Sequence, residues 1–299
     1  MVESTGPDTT PKPRRRRRFL WYLVVGLIAL MMINALLPDW EFIGEDKVAV
    51  VRVEGVILDA QTTVGELKKF SESPSVKAIV LRIDSPGGGV VPSQEIYDAV
   101  RRIRTKQSKT VVASMGTVAA SGGYYIAVAT DRIMANPGTL TGSIGVIMEL
   151  ANIEGLLKKI GVESVVVKSG EHKDLGSPFR QMSESERRIL QNVMDDVHTQ
   201  FIEAVAEGRS LKVAEVKSLA DGRIFTGRQA KDQKLVDELG NLDDAVKLAA
   251  ELAGIEGEPK VVEPRKRFSI RDLLETRLFG SLPRFDLQTG VSLKYLMAF

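Results

Sequence analysis

Short β-branched segments alternate with helical segments along the middle of the chain, and this alternation restricts the fold more than any other feature. The segments that we predict to be strands are Lys47–Ile57, Val76–Ile83, Thr110–Ser114, Arg132–Ala135 and Glu163–Lys168. Helices are predicted between them at Thr62–Glu72, Pro92–Thr105, Ser121–Ala129 and Ile153–Ile160. Strands that are separated by helices pair in parallel, so the sequence predicts an α/β domain around one parallel sheet.

The part of the chain that follows is predicted to be helical. Ser183 and Glu186 have the spacing of a capping box at the start of a long helix, which we expect to end near Gly208. Further helices are predicted near Val213–Ala220 and Leu242–Ala253. No internal repeat is found, so residues 47–264 are predicted to form one domain. The chain turns basic after residue 264, and residues 265–299 are predicted to form a C-terminal tail.

The N-terminus predicts a membrane anchor. Phe19–Leu37 contains no charged residue, and as a helix it would rise about 28 Å, close to the thickness of bilayer hydrocarbon. The arginines at positions 14–18 place the disordered tail 1–18 in the cytoplasm and the domain outside it. A cleaved signal peptide is the alternative, but its apolar part is usually only about 7–15 residues long. We therefore predict an uncleaved single-pass anchor in the cytoplasmic (inner) membrane, followed by a linker at residues 38–46.

Composition excludes several classes of function. The chain has no cysteine, which excludes disulfides, thiolate zinc sites and a cysteine nucleophile. His172 and His198 are its two histidines, so a histidine-rich metal site is also excluded. Six basic and two acidic residues give segment 1–18 a charge of +4, and the net charge of +2 leaves −2 for the remainder. This distribution argues against a broad nucleic-acid-binding face.

Three glycines follow the second predicted strand, in the motif DSPGGG at residues 84–89. Sites in parallel α/β proteins lie at the carboxyl ends of strands, and glycines allow backbone N–H groups to point at a ligand. The motif is half of an oxyanion hole or simply a glycine turn, and taken alone it favours the glycine turn. The Walker spacing is missing, so the motif is not a phosphate-binding loop.

Small residues surround Ser121 in the motif AASGGYY at residues 119–125, after the third predicted strand. They leave room for a substrate, and a helix that starts here offers free N–H groups and the positive end of its dipole. Gly122 N–H would then lie beside the hydroxyl. The alternative is a serine that only caps a tightly packed helix.

A serine nucleophile needs a base, and the motif KSGEHKD at residues 168–174 offers two. His172 and Lys173 are adjacent, so in an extended segment they point to opposite faces and one of them meets Ser121. A lysine base must lose its proton, so its pKa must fall from about 10.4 towards 7–8, a change that burial can produce. A solvated loop is the alternative for both residues.

Three segments, in this order, resemble the signal peptide peptidase A family, in its short bacterial form with one membrane anchor. They are LRIDSPGGGV, ASGGYYIAVATDRIMANPGTLTGSIGVI and VVVKSGEHKDLGSPFRQMSESER, and a further matching segment is GRIFTGRQAKDQKLVDELG. The resemblance covers roughly residues 47–254. It implies a Clp protease/crotonase-like fold of repeated β-β-α units, preceded by one transmembrane helix. It also implies a serine endopeptidase with a Ser/Lys dyad and no metal or cofactor.

The resemblance implies a role for each motif. Ser121 would be the nucleophile, Lys173 the general base, and the backbone N–H groups of Gly88 and Gly122 the oxyanion donors. Ser169 would help to orient the lysine amine. By resemblance, the substrates are remnant signal peptides and other apolar peptides at the extracytoplasmic face of the membrane. The family forms ring- or dome-shaped homo-oligomers that share sites between neighbours, and the sequence does not decide whether the dyad lies within one chain.

Other functions stay open at this point. A non-catalytic membrane scaffold of the same fold would bind peptides or a partner without cleaving them. An acyl-CoA enzyme of the crotonase type would leave Ser121 idle. A Clp-type triad needs a histidine soon after the serine helix, and none lies between Ser121 and Glu171.

Two further segments are assigned by their composition. The small residues of Asn136–Gly145 are expected to form turns that partly line a groove for an extended peptide. Tyr124, Tyr125 and the stretch Met148–Leu150 are expected to lie in the core.

Overall fold

The computed structural model describes residues 21–26, 45–264 and 294–296. Residues 21–26 are helical and belong to a unit separate from Glu45–Phe299. The remainder of the predicted anchor Phe19–Leu37, the basic tail 1–18 and most of the linker lie outside the described residues. Within the described part of the chain, no helix has the length and apolar character needed to cross a membrane.

Most strands of the second unit belong to one mixed sheet. The described strands are β1 (Lys47–Glu54), β2 (Val76–Ser85), β3 (Gly87–Gly89), β4 (Thr110–Ala120), β5 (Arg132–Ala135), β6 (Leu140–Gly142), β7 (Ile224–Thr226), β8 (Glu238–Leu239), β9 (Lys260–Val262) and β10 (Lys294–Leu296). The sheet order is β7-β6-β4-β2-β1-β9, with β5 beside β4 and β8 beside β5. Its pairs are parallel except β6 with β7. The predicted α/β class with a parallel sheet is confirmed.

Helices cover the sheet. The described helices of this unit are α1 (Gln61–Glu72), α2 (Val90–Lys106), α3 (Gly122–Ala127), α4 (Glu154–Lys159), α5 (Glu184–Arg209), α6 (Val213–Leu219), α7 (Gly227–Asp232) and α8 (Leu242–Leu252). Ser183 caps α5 through the predicted capping box with Glu186. The two residues satisfy backbone donors that the first turn of a helix leaves free.

The central strands are buried on both faces. Residues 48–51 of β1 and 78–81 of β2 are all buried, which explains their unbroken apolar sequence. On one face of the sheet, Ala245 and Ala249 of α8 belong to a core cluster with Val48 of β1 and Val80 of β2. Side chains alternate across a strand, so Ile83 points to the other face, where it lies close to α3. The core therefore holds the carboxyl ends of β2 and β4, where the candidate motifs begin.

Two local predictions were wrong. Glu163–Lys168 was expected to be a strand, but it has no regular structure, and the side chains of Val165 and Val167 are 84% and 98% exposed. β-branched residues favour strands only where another strand pairs with them, and no described strand lies beside this segment. His172 and Lys173 were expected in an extended segment, but residues 171–176 form turns.

An ion pair under the sheet generates a prediction about stability. Arg209 donates to both carboxylate oxygens of Asp237 at 2.7 and 2.9 Å, and its side chain is 8% exposed. Arg209→Leu leaves the half-buried carboxylate of Asp237 without its cation, so we expect a loss of about 3 kcal/mol in the free energy of unfolding. Urea denaturation followed by circular dichroism measures this loss.

The matched control is Arg101→Leu. Arg101 pairs with Glu207, and both side chains are about half exposed. Solvent screens such a pair, so we expect a loss below about 1 kcal/mol. Equal losses for the two variants would contradict the assignment of Arg209 as a buried structural cation.

Candidate active site

Ser121 lies on a sharp turn between β4 and α3. Its backbone has φ 52° and ψ −116°, a region that a non-glycine residue occupies only under strain of about 1–3 kcal/mol. Hydrogen bonds hold the turn on both sides, because Ser121 N–H donates to Gly142 at 2.8 Å and Ser121 C=O accepts from Tyr125 at 2.8 Å. A strained strand-to-helix turn of this kind presents the nucleophilic serine in α/β-hydrolases.

The Ser121 hydroxyl is buried and unused. The residue is 1% exposed, and its Oγ has no hydrogen-bond partner in the described structure. It also makes no cap hydrogen bond to α3. A purely capping serine is therefore ruled out at this position. Because an unpaired buried hydroxyl costs stability, its retention here points to a chemical role.

The glycine motif lies directly against this turn. A Cβ placed on Gly122 would be 3.2 Å from the nitrogen of Gly88, and one placed on Gly87 would be 2.8 Å from the nitrogen of Gly122. The backbones of β3 and α3 thus approach so closely that side chains are excluded. The structure thus brings Gly88 and Gly122 together beside Ser121.

Strand β10 also lies against the glycine motif. Lys294–Leu296 pairs antiparallel with β3, so that Tyr295 faces Gly88, and Lys294 also bridges to Ile147. Tyr295 is fully buried, and its hydroxyl donates to the carbonyl of Val197 at 3.2 Å. Sequence reasoning missed this element, which lies within the predicted tail 265–299. Three residues are too few to show a strand pattern.

The Tyr295 ring packs in an aromatic cluster. Its centroid lies 5.2 Å from Tyr125 of α3 and 4.8 Å from Phe201 of α5. The buried positions of Tyr124 and Tyr125 confirm the prediction that both belong to the core. The cluster joins α5 to the helix that follows Ser121.

Two cavities flank β10, and Leu296 lines both. One has a volume of about 730 Å³ and is largely apolar, with side chains that include Val56, Leu58, Val91, Met148, Leu190 and Val193. The other, of about 850 Å³, has a mixed lining that includes Ser143, Gly145, Asp195, His198 and Arg223. The Asn136–Gly145 segment thus lines a cavity with its last residues. The stretch Met148–Leu150 was expected in the core, but Met148 is half-buried and lines the apolar cavity.

The candidate bases do not reach Ser121 within one chain. Lys173, His172 and Ser169 are all exposed, and the buried Ser121 Oγ has no partner. His198 lies on α5 at the cavity of mixed lining, and its Nε2 is also without a hydrogen-bond partner in the described structure. One chain therefore brings Ser121, Gly88 and Gly122 together, while Lys173 is exposed on a surface turn.

Charged side chains hold the turn that carries Lys173. Asp174 accepts from Lys168 Nζ at 2.6 Å and from Arg180 Nε at 2.7 Å, and Arg180 also bonds Glu186 at 2.9 Å. Hydrogen bonds from Arg180, then Lys168, hold the pKa of Asp174 well below its usual range. Hydrogen bonds from Arg180 and the Ser183 backbone lower the pKa of Glu186 to about 2. Both carboxylates are therefore ionised at neutral pH.

Comparison with known families identifies the class of protein. The model of peptidase family S49 matches residues 103–256, and that of Clp protease matches residues 52–141. The first match covers more than half of the chain, so the chain belongs to peptidase family S49. It is a serine peptidase, and the resemblance to the signal peptide peptidase A family is confirmed.

Individual relatives agree with this family. A candidate protease of Synechocystis sp. is 48% identical over 218 residues, which are 73% of this chain and 77% of that protein. A candidate signal peptide peptidase SppA of Enterococcus faecium is 39% identical, covering 67% of this chain and 62% of that protein. The chloroplastic serine protease SPPA of Arabidopsis thaliana is 32% identical, covering 73% of this chain and 34% of that protein. The chain spans less than two thirds of the last two relatives.

The close approach of the two glycines predicts the effect of a single methyl group. A Cβ on Gly122 would lie 2.6 Å from Ser93 Oγ as well as 3.2 Å from the Gly88 nitrogen. We expect Gly122→Ala to lower kcat for a fluorogenic peptide by about 100-fold, because the methyl group displaces the backbone N–H and losing one oxyanion donor costs about 2.7–4 kcal/mol. Gly138→Ala is the control, since nothing lies within 4 Å of a Cβ there. An unchanged kcat in Gly122→Ala would show that the space between Gly88 and Gly122 takes no part in the reaction.

Proposed function

We propose that Ser121 and Lys173 are the catalytic dyad of this serine peptidase, with the N–H groups of Gly88 and Gly122 as the oxyanion hole. The observation that carries the proposal is the Ser121 hydroxyl, which is buried, unpaired and fixed on a strained turn beside both glycines. Lys173 lies in the segment whose pattern resembles the lysine motif of the family.

The reaction follows from these positions. Ser121 Oγ attacks the peptide carbonyl carbon, and neutral Lys173 accepts the hydroxyl proton. The carbonyl oxygen becomes an oxyanion that the Gly88 and Gly122 N–H groups stabilise. Lys173 then passes the proton to the leaving amine, and an acyl-enzyme remains. Lys173 next takes a proton from water, which attacks the acyl carbonyl, and it returns that proton to Ser121 Oγ as the C–O bond breaks and the peptide is released. Ser169 orients the lysine amine.

We propose further that Lys173 reaches the Ser121 of a neighbouring copy in a ring- or dome-shaped homo-oligomer. Two observations support this arrangement. Lys173 is exposed, while Ser121 is buried and has no partner from its own chain. The segment before Lys173 is β-branched, exposed and unpaired, and a strand of a second copy would cover it.

The proposed substrates are apolar peptides in extended conformation, including remnant signal peptides. Strand β10 supports this class, because it shows that the backbone of Gly87–Gly89 accepts an antiparallel strand. The apolar cavity beside that strand suits large apolar side chains. The predicted anchor Phe19–Leu37 would hold the site at the extracytoplasmic face of the membrane, where such peptides remain. The Enterococcus faecium relative is named a signal peptide peptidase, which fits the same substrate class.

Labelling with a fluorophosphonate, followed by intact-mass spectrometry, tests the dyad. We expect one adduct on the wild type in detergent and none on Ser121→Ala or Lys173→Ala, because the hydroxyl reacts only when its base is present. Adducts that persist in Lys173→Ala would assign the base to another residue such as His172. No adduct on any protein, together with no peptide hydrolysis, would favour the alternative of a non-catalytic membrane scaffold.

Co-expression of the two inactive chains tests the shared site. Mixed oligomers of Ser121→Ala and Lys173→Ala combine an intact serine and an intact lysine at one contact in four. We therefore expect up to about a quarter of the wild-type activity. Each chain expressed alone is the control and should be inactive. A mixture as inactive as its parents would place both residues in the same chain.

A further inference from the structure

Four charged side chains of alternating sign join the lysine turn to α5. Lys168 bonds Asp174, Arg180 bonds both Asp174 and Glu186, and Glu186 belongs to the first turn of α5. Arg180 is the centre of this chain of contacts, which we call the Arg180 bridge. Its guanidinium also donates to the Asp174 carbonyl at 3.3 Å and to the Gln181 carbonyl at 3.1 Å.

The Arg180 bridge ends at a buried side chain of α5. The Glu186 side chain is 5% exposed and accepts from Ser183 N–H at 2.9 Å. Further along the same helix, Phe201 is fully buried and packs against Tyr125 of α3 at 5.1 Å between centroids. The turn that carries Lys173 is thus attached, through α5, to the helix that follows Ser121.

The Arg180 bridge also neutralises the charge next to Lys173. The charged or titratable groups of its own segment are Lys168, Glu171, His172 and Asp174, while Arg180 comes from the next segment and Glu186 from α5. A free Asp174 carboxylate would place an unpaired negative charge next to Lys173. In the structure, both oxygens of that carboxylate accept from cations instead. The negative charge beside Lys173 is therefore already paired within the Arg180 bridge.

We propose that Arg180 is a positioning residue for the peptidase reaction, which fixes the Lys173 turn against α5 and neutralises Asp174. This inference rests on the proposed role of Lys173 as the base. A planar guanidinium bonds two carboxylates at once, and the point charge of a lysine does not reproduce that geometry. Position and charge can therefore be separated by two substitutions at the same residue.

The experiment measures kcat and KM against pH for the full chain in detergent, with a fluorogenic apolar peptide. Arg180→Lys keeps the charge but loses the planar guanidinium that bonds two carboxylates at once. We therefore expect kcat to fall by about 100-fold with KM unchanged. Arg180 does not line either cavity beside β10, which is why KM should not move. Arg180→Gln also loses the charge, so we expect the acid limb of kcat to move up by about one pH unit.

Controls separate this inference from the dyad. Arg188 is an exposed arginine of α5, and Arg188→Lys and Arg188→Gln should leave both kcat and the acid limb unchanged. Lys173→Ala is measured in parallel, and full activity in that variant would overturn the dyad and this inference together. Inactive Lys173→Ala, with kcat within twofold in Arg180→Lys and an unmoved limb in Arg180→Gln, would overturn this inference alone.

Folding is checked by circular dichroism melting and by the size of the oligomer. If the Arg180 variants do not fold, Glu186→Gln replaces them, because its amide oxygen still accepts from Ser183 N–H while the ion pair to Arg180 is lost. We expect a fall in kcat of at least about tenfold, with KM unchanged. An unchanged kcat in Glu186→Gln would then overturn the inference.

Discussion

The strained turn at Ser121 is the constraint on which the site depends. A positive φ at a serine is unfavourable by itself, and it persists because the surroundings determine it from several sides. Residues 122–127 of α3 are all buried, and the Tyr124 hydroxyl donates to the Leu235 carbonyl at 2.9 Å. The burial of one short helix thus offsets the strain and keeps the hydroxyl next to the glycine motif.

The parallel sheet explains why distant motifs meet. β2 and β4 are neighbours and run in the same direction, so that Ser85 lies opposite Ala119. The glycine motif and Ser121 follow the carboxyl ends of these two strands, so both lie at the same edge of the sheet. This convergence was predictable, because continuous apolar segments identify buried parallel strands and the motifs follow them directly. The same logic explains why Gly122 could be named from its place beside Ser121, whereas Gly88 was named through the resemblance to the family.

Other features depend on contacts that no local pattern reveals. β10 is a strand only because β3 and Ile147 pair with it from far along the chain. The Glu163–Lys168 segment has strand propensity but finds no partner among the described residues. Arg180 was not recognised either, since its two carboxylates lie six residues before and six residues after it, a spacing that marks no regular element. Glu186 was identified as a capping residue, which concealed its second contact.

The exposed valines before Lys173 have a consequence for the protein outside its reaction. Residues 165–167 are three consecutive valines with unpaired backbone groups and no charge among them. Such a stretch is a template for other extended chains, and uncovered it promotes aggregation. A strand that pairs with these valines would therefore protect the protein from aggregation as well as order the segment before Lys173.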